Sequence, residues 1–244
     1  MHPAPTPGPR EDQPAAVLAL VASATQRLLG DTIAVAEQDW RGPSRLPGWT
    51  RGHVATHLAR QADGLVRLAT GALAGERVAL YASAEQRDAD IEEGAARGPL
   101  DLQVDLDTSA QRLTVAFDEV TAACGWDTVV ELRGVSAPTR MLPLARLSEV
   151  VLHHVDLDTG FSLAEVDPEA AESLLQWCAL RLRARDDFPR LRLVTGSGLE
   201  IPVGSSGGTT TVEGGASELL GWLTGRSEGR SLTGRDGLTL PSFG

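Results

Sequence analysis

Pro47-Gly48-Trp49-Thr50-Arg51-Gly52-His53-Val54-Ala55-Thr56-His57-Leu58 and Ser148-Glu149-Val150-Val151-Leu152-His153-His154-Val155-Asp156-Leu157 are the two stretches on which the reading of this 244-residue chain turns. The chain has five histidines, and four of them sit in these two places. Both stretches have helical apolar spacing, so each predicts an amphipathic helix. Glu149 and His153 are four residues apart and share one helical face. His53 and His57 have the same spacing, so either can point where the other points, and spacing does not rank them. His154 is turned by about 100° from His153 on a helix and is a weaker candidate for the same site. Asp156 is placed to orient the His153 imidazole. Two imidazoles and one carboxylate leave a coordination position open, which is the pattern of a catalytic zinc site or of a two-histidine-one-carboxylate iron site. Taken singly, each of these residues is more often a surface or hydrogen-bonded side chain. Their coincidence on two helices carries the reading.

The remaining sequence builds a bundle around those helices. Residues 13–39 have a helical pattern with Val17, Leu18, Val21, Leu28 and Ile33 among its apolar positions. Pro43 and Leu46-Pro47-Gly48 break it, and Thr50 is a good N-cap for a helix to about Gly71. Ser83 with Gln86 resembles a capping box for a shorter helix. Residues 105–123 form another amphipathic segment, with Leu106, Leu113, Val115 and Phe117, and residues 128–140 read as a loop or a short extended piece. Pro143 opens the helix that carries Glu149, and that helix is expected to end near Gly160. Long helices with short connections predict an antiparallel bundle of about four.

The pattern changes after residue 160. Asp167-Pro168-Glu169 is a helix start: an acidic cap, proline in the first turn and an acid beside it. That helix is expected to reach about Arg185. Short β-like runs at 191–195, 199–203 and 209–212 follow, then a helix at 216–224 and a last strand at 238–240. Gly196-Ser197-Gly198 and Gly204-Ser205-Ser206-Gly207-Gly208 lack a phosphate-loop lysine and are read as hairpin turns. The expected organisation is α+β: a leader over residues 1–12, a helical bundle over 13–162 and a small α/β domain over 163–244.

Composition narrows the function. Apolar residues make up 42% of the chain and charged residues 23%, the balance of a folded globular protein. No apolar run approaches the length of a membrane span, and the proline-rich start lacks the apolar core of a signal peptide, so a cytoplasmic protein without a membrane is expected. Net charge is −11, which disfavours nucleic acid as a partner. All 22 basic residues are arginine, so a cation at an active site is arginine or a metal, and lysine chemistry is excluded. Cys124 and Cys178 make no disulfide framework and are read as packing residues or inert thiols.

The sequence resembles the mycothiol-dependent maleylpyruvate isomerases. Gly48-Trp49-Thr50-Arg51-Gly52-His53 with His57 is similar to the family's first metal-ligand motif, and Glu149-Val150-Val151-Leu152-His153 with Val155-Asp156-Leu157 to its second. Tyr81-Ala82-Ser83-Ala84-Glu85-Gln86-Arg87 resembles the arginine-bearing segment between them, and residues 215–225 with Arg226 the late arginine motif. The resemblance runs from about residue 13 to 230. It implies a DinB-like bundle followed by a domain similar to sterol carrier proteins. It implies zinc on His53, Glu149 and His153, with His57 outside the ligand set as a supporting or core residue. It implies mycothiol as cofactor, held beside Trp49 and Arg226, and Arg87 and Arg226 as catalytic groups for a small dicarboxylate. The activity it implies is isomerisation of maleylpyruvate to fumarylpyruvate, by a monomer or weak homo-oligomer. A thiol S-transferase acting on another electrophile is the second reading, and a non-catalytic metal-binding module the third.

Overall fold

A computed structural model describes residues 14–132, 134–183 and 185–243; the expected leader lies outside them. The described chain divides into two compact units, one ending at Phe161 and the other beginning at Ser162. No helix among the described residues is long and apolar enough to cross a membrane.

The first unit is helical. Helix α1 spans Pro14–Ile33, α2 Arg51–Ala74, α3 Ala84–Ala95, α4 Pro99–Ala122 and α5 Leu142–Asp156. Their ends follow local chemistry. The Thr50 side chain caps α2 by accepting from the His53 backbone N–H, and Gly75 ends that helix in the left-handed conformation at φ 71°. Ser83 caps α3 by accepting from Gln86 N–H, while the Gln86 side chain turns forward to Asp90. Helix α4 begins at Pro99, earlier than its apolar periodicity suggested, because proline suits the first helical turn.

Packing separates the apolar positions the pattern had grouped together. Val17, Leu28, Leu106, Leu113 and Phe117 are buried, whereas Ile33 and Val115 are exposed. Leu28, Leu58, Leu102, Leu106 and Val150 meet in one core cluster with Trp40. Each buried leucine there contributes about 1.5–3 kcal/mol. Helix α1 packs chiefly on α5, and α2 on α4, α3 and α5. The segment expected as a loop or short extended piece is an antiparallel hairpin, with β1 over Val129–Leu132 and β2 over Val135–Pro138. Gly134 turns it at φ 79°.

The second unit comprises α6 (Pro168–Leu182), β3 (Pro189–Thr195), β4 (Glu200–Val203), β5 (Ser206–Gly214) and α7 (Ala216–Leu223). Its sheet has the order β4-β3-β5; β4 is antiparallel to β3 and β5 parallel to it. Gly196-Ser197-Gly198 is therefore a hairpin turn, as expected, but the stretch beginning at Gly204 is not. It carries the chain past the start of β3 to the sheet's other edge. Gly204 has φ 65°, and a Cβ there would run into the carbonyl oxygens of Phe188 and Pro189, so this crossing requires glycine. The strand expected at 238–240 is absent; Thr233 instead forms an isolated bridge with Glu213. Cys124 and Cys178 are both free of disulfide bonds.

Candidate metal centre

Helices α2 and α5 each bring one turn of polar side chains into the bundle. On α5, almost every residue from Leu142 to Asp156 is buried, including Glu149 and Asp156. On α2, His57 is buried at 4% exposure. His57 Nε2 lies 2.9 Å from Glu149 Oε2, and His153 Nε2 lies 3.2 Å from the same oxygen. One ligand atom from each of the three lies within 4.8 Å of the others. The His57 and His153 rings meet edge to face, 4.7 Å between centroids.

His53, expected as a ligand, is not in this group. Its Nδ1 accepts from the Thr50 backbone N–H at 3.2 Å and lies 2.7 Å from the Thr50 hydroxyl. It occupies the third helical position of a capping box, where glutamate or glutamine usually reaches back. The other ring nitrogen, Nε2, lies 3.1 Å from Glu92 on α3. Helix capping has taken the first histidine and left the second, one turn deeper, to face Glu149. Capping geometry was the signal in the sequence: Thr50 precedes His53 by the three residues that a capping box requires.

The electrostatics of the group suit a cation. Burial pushes the His57 imidazole below its ordinary pKa, against the pull of its hydrogen bond to Glu149. Burial acts the same way on His153 but is outweighed by hydrogen bonds to Asp156 and Glu149, which hold it above its ordinary value. His153 Nδ1 donates to Asp156 at 2.8 Å, leaving Nε2 aimed at the Glu149 carboxylate. Without a positive charge between them, that nitrogen lone pair and the carboxylate oxygen would repel. A proton or a divalent ion between them removes that repulsion, and a metal binding there would displace protons. Two nitrogens, one oxygen and a carboxylate steering one imidazole from behind fit zinc with an open position.

Arg87 reaches His57 from α3. Its Nη2 lies 3.3 Å from His57 Nδ1, and Nη1 pairs with Asp88 at 2.6 Å. A guanidinium only donates, so His57 accepts at Nδ1 and carries its proton on Nε2 toward Glu149. Helix α3 reaches this position because α2 is shaved at Gly52, where a Cβ would sit 2.6 Å from the Ala95 carbonyl oxygen. Beside His57 is a pocket of about 510 Å³ walled by Tyr81, Ser83, Arg87, Glu131 and Gly134. The Trp49 ring lies against both histidines of α2, 6.1 Å from His53 and 5.5 Å from His57. His154 is buried away from the group, stacked on Phe161 with Nε2 3.1 Å from Asp31.

Arg226 belongs to the second unit, just past the end of α7. Its Nη1 donates to the Thr224 carbonyl at 3.0 Å.

A helical bundle whose two facing helices present a histidine-glutamate-histidine group is one class of metal-binding scaffold. Residues 21–158 match the family model described as the mycothiol maleylpyruvate isomerase N-terminal domain. That span exceeds half of the chain, and the protein belongs to this family. Two solved structures of the mycothiol-dependent maleylpyruvate isomerase, one of them a histidine-to-alanine variant, share the fold at a TM-score of 0.82. Each is 24% identical, and the match covers 94% of this chain and 96% of the other. The likeness therefore includes the small C-terminal sheet unit as well as the bundle. No curated protein matches.

Proposed function

We propose that this protein is a mycothiol-dependent cis-trans isomerase that converts maleylpyruvate to fumarylpyruvate, with His57, Glu149 and His153 holding a divalent ion, most simply zinc. The observation that carries the reading is the convergence of those three side chains beside an arginine-lined pocket, in a chain of this family. The bound ion supplies positive charge that keeps a thiol ionised near neutral pH.

Isomerisation requires the double bond to become single for a moment. The mycothiol thiolate adds to the alkene carbon, forming a C–S bond as the π pair moves through the conjugated system onto the ketone oxygen. The remaining single bond rotates. The pair then returns, the C–S bond breaks, and the thiolate leaves unchanged. The residues of this chain bind and orient. When Nε2 of His57 serves as a ligand, its proton sits on Nδ1, and the Arg87 guanidinium gives up that nitrogen and becomes available to a substrate carboxylate. Asp156 keeps the His153 proton on Nδ1 and so keeps Nε2 available. Trp49 walls the histidines and offers a face to the thiol cofactor. Arg226 is proposed to bind a second carboxylate or to stabilise the enolate charge.

The test is turnover of maleylpyruvate by zinc-loaded protein with and without mycothiol, alongside metal analysis. Product that appears only with the thiol supports the reading. Metal and thiol binding without isomerisation would redirect the assignment to a thiol S-transferase that adds mycothiol to another electrophile, and a protein that binds neither would leave a non-catalytic module.

A further inference from the structure

The bundle has a second pocket, separate from the one beside His57. Because α1 packs chiefly on α5, and α4 on α2, the seam between α1 and α4 stays open. It holds a groove of about 330 Å³ walled by Leu18, Val21 and Leu29 of α1 and by Leu113 and Phe117 of α4. At its base is Arg146 of α5, only 2% exposed.

Arg146 is unusual in what it lacks. Its Nη1 donates to the Leu58 carbonyl and to Gln61 Oε1, both at 2.8 Å. Among the described residues, Nη2 and Nε donate to nothing, and no carboxylate comes within ion-pair distance of the guanidinium. Glu149, one turn along α5, is already engaged by His57 and His153. Burial lowers the Arg146 pKa to about 10, so the group stays charged at neutral pH. A buried cation with unused donors is costly unless an acceptor reaches it. This one opens onto an apolar groove.

We propose that the groove between α1 and α4 binds a small monocarboxylate with an apolar body. The carboxylate accepts two hydrogen bonds from Arg146 Nη2 and Nε, in the paired geometry that suits a guanidinium, and the apolar body lies between Leu18, Leu29 and Phe117. Asp107 and Asp118 edge the groove and are exposed. They set it against a dianion, which separates this ligand class from the dicarboxylate proposed for the pocket beside His57.

The probe is octanoate, titrated into the full-length protein by calorimetry, with octanol as the uncharged match. Saturable one-to-one binding of octanoate is expected, about tenfold or more tighter than octanol because charge-assisted hydrogen bonds to the head group are lost in the alcohol. Ala110 lines the groove, and Ala110→Trp should block it and abolish octanoate binding while leaving Arg146 in place and the helical circular dichroism unchanged. Arg146→Met should also abolish it, and the Ala110 variant decides the matter if that protein does not fold. Arg87→Ala, in the other pocket, should leave binding intact. The proposal is overturned by an absence of saturable binding, by equal affinity for octanoate and octanol, by undiminished binding in Ala110→Trp, or by loss of binding in Arg87→Ala.

Discussion

At the scale of single residues, the two histidines of α2 show how one side chain's local partner decides its chemistry. His53 is held by Thr50 and Glu92, and His57 by Glu149 and Arg87. His57→Ala should therefore lose the metal, whereas His53→Ala should keep near-stoichiometric metal and lose about 0.5–2 kcal/mol of stability, the scale of a helix cap. Metal analysis and thermal unfolding of both variants check this, and the reverse pattern of metal loss would return His53 to the ligand set. Asp156 is the residue that steers His153. Asp156→Asn removes the negative charge behind the imidazole and should weaken metal affinity by about 10- to 100-fold. Competition with a chelator of known affinity measures it, and unchanged affinity would mean that His153 needs no support from behind.

At the scale of elements, the site depends on how closely α3 approaches α2. Helix α3 has few buried residues, Ile91, Gly94 and Ala95, so its position is set by small side chains that let backbones come close. A methyl group at Gly52 would press on the Ala95 carbonyl oxygen. Gly52→Ala should destabilise the protein by about 1–3 kcal/mol, the range of overpacking, although alanine favours a helix elsewhere. It should also reduce turnover, because Arg87 rides on α3, while metal content stays near that of the parent, because His57, Glu149 and His153 lie on α2 and α5. A variant of unchanged stability and turnover would show that α3 adjusts without cost. Element ends were legible in advance where a side chain or proline sets them, as at Thr50, Ser83 and Asp167. The start of α4 at Pro99 had the same kind of signal, a proline in the first turn, and was read too late in the chain; β1 with β2 was not legible, because the short strands of that hairpin have no decisive period.

At the scale of the whole molecule, Arg226 is the residue of the second unit whose proposed role can be tested. A bidentate guanidinium suits a carboxylate or an enolate better than any other side chain this lysine-free sequence offers. Arg226→Ala should lower maleylpyruvate turnover by about 100-fold, the loss of one transition-state donor, with metal content unchanged. Near-normal turnover would remove Arg226 from the mechanism. The helices and their apolar faces were determined by the sequence itself, because a 3.6-residue period and capping chemistry act within a few residues of chain. The pairing of Glu149 with His153 was legible for the same reason, since both lie on one turn of one helix. Tertiary structure alone decided three things. It set His57, and not His53, beside Glu149 and His153, although the two share a helical face. It sent β5 across the start of β3 to the sheet's far edge, because strand order depends on pairing between segments and not on their composition. It left Arg146 buried at the base of an open seam, because the space between two helices is set by what each packs against elsewhere. For the strand order and for Arg146 the deciding contacts join residues distant in sequence, and no local pattern records them; for the histidines the Thr50 cap on His53 is local, but the Glu149 that meets His57 is 92 residues away.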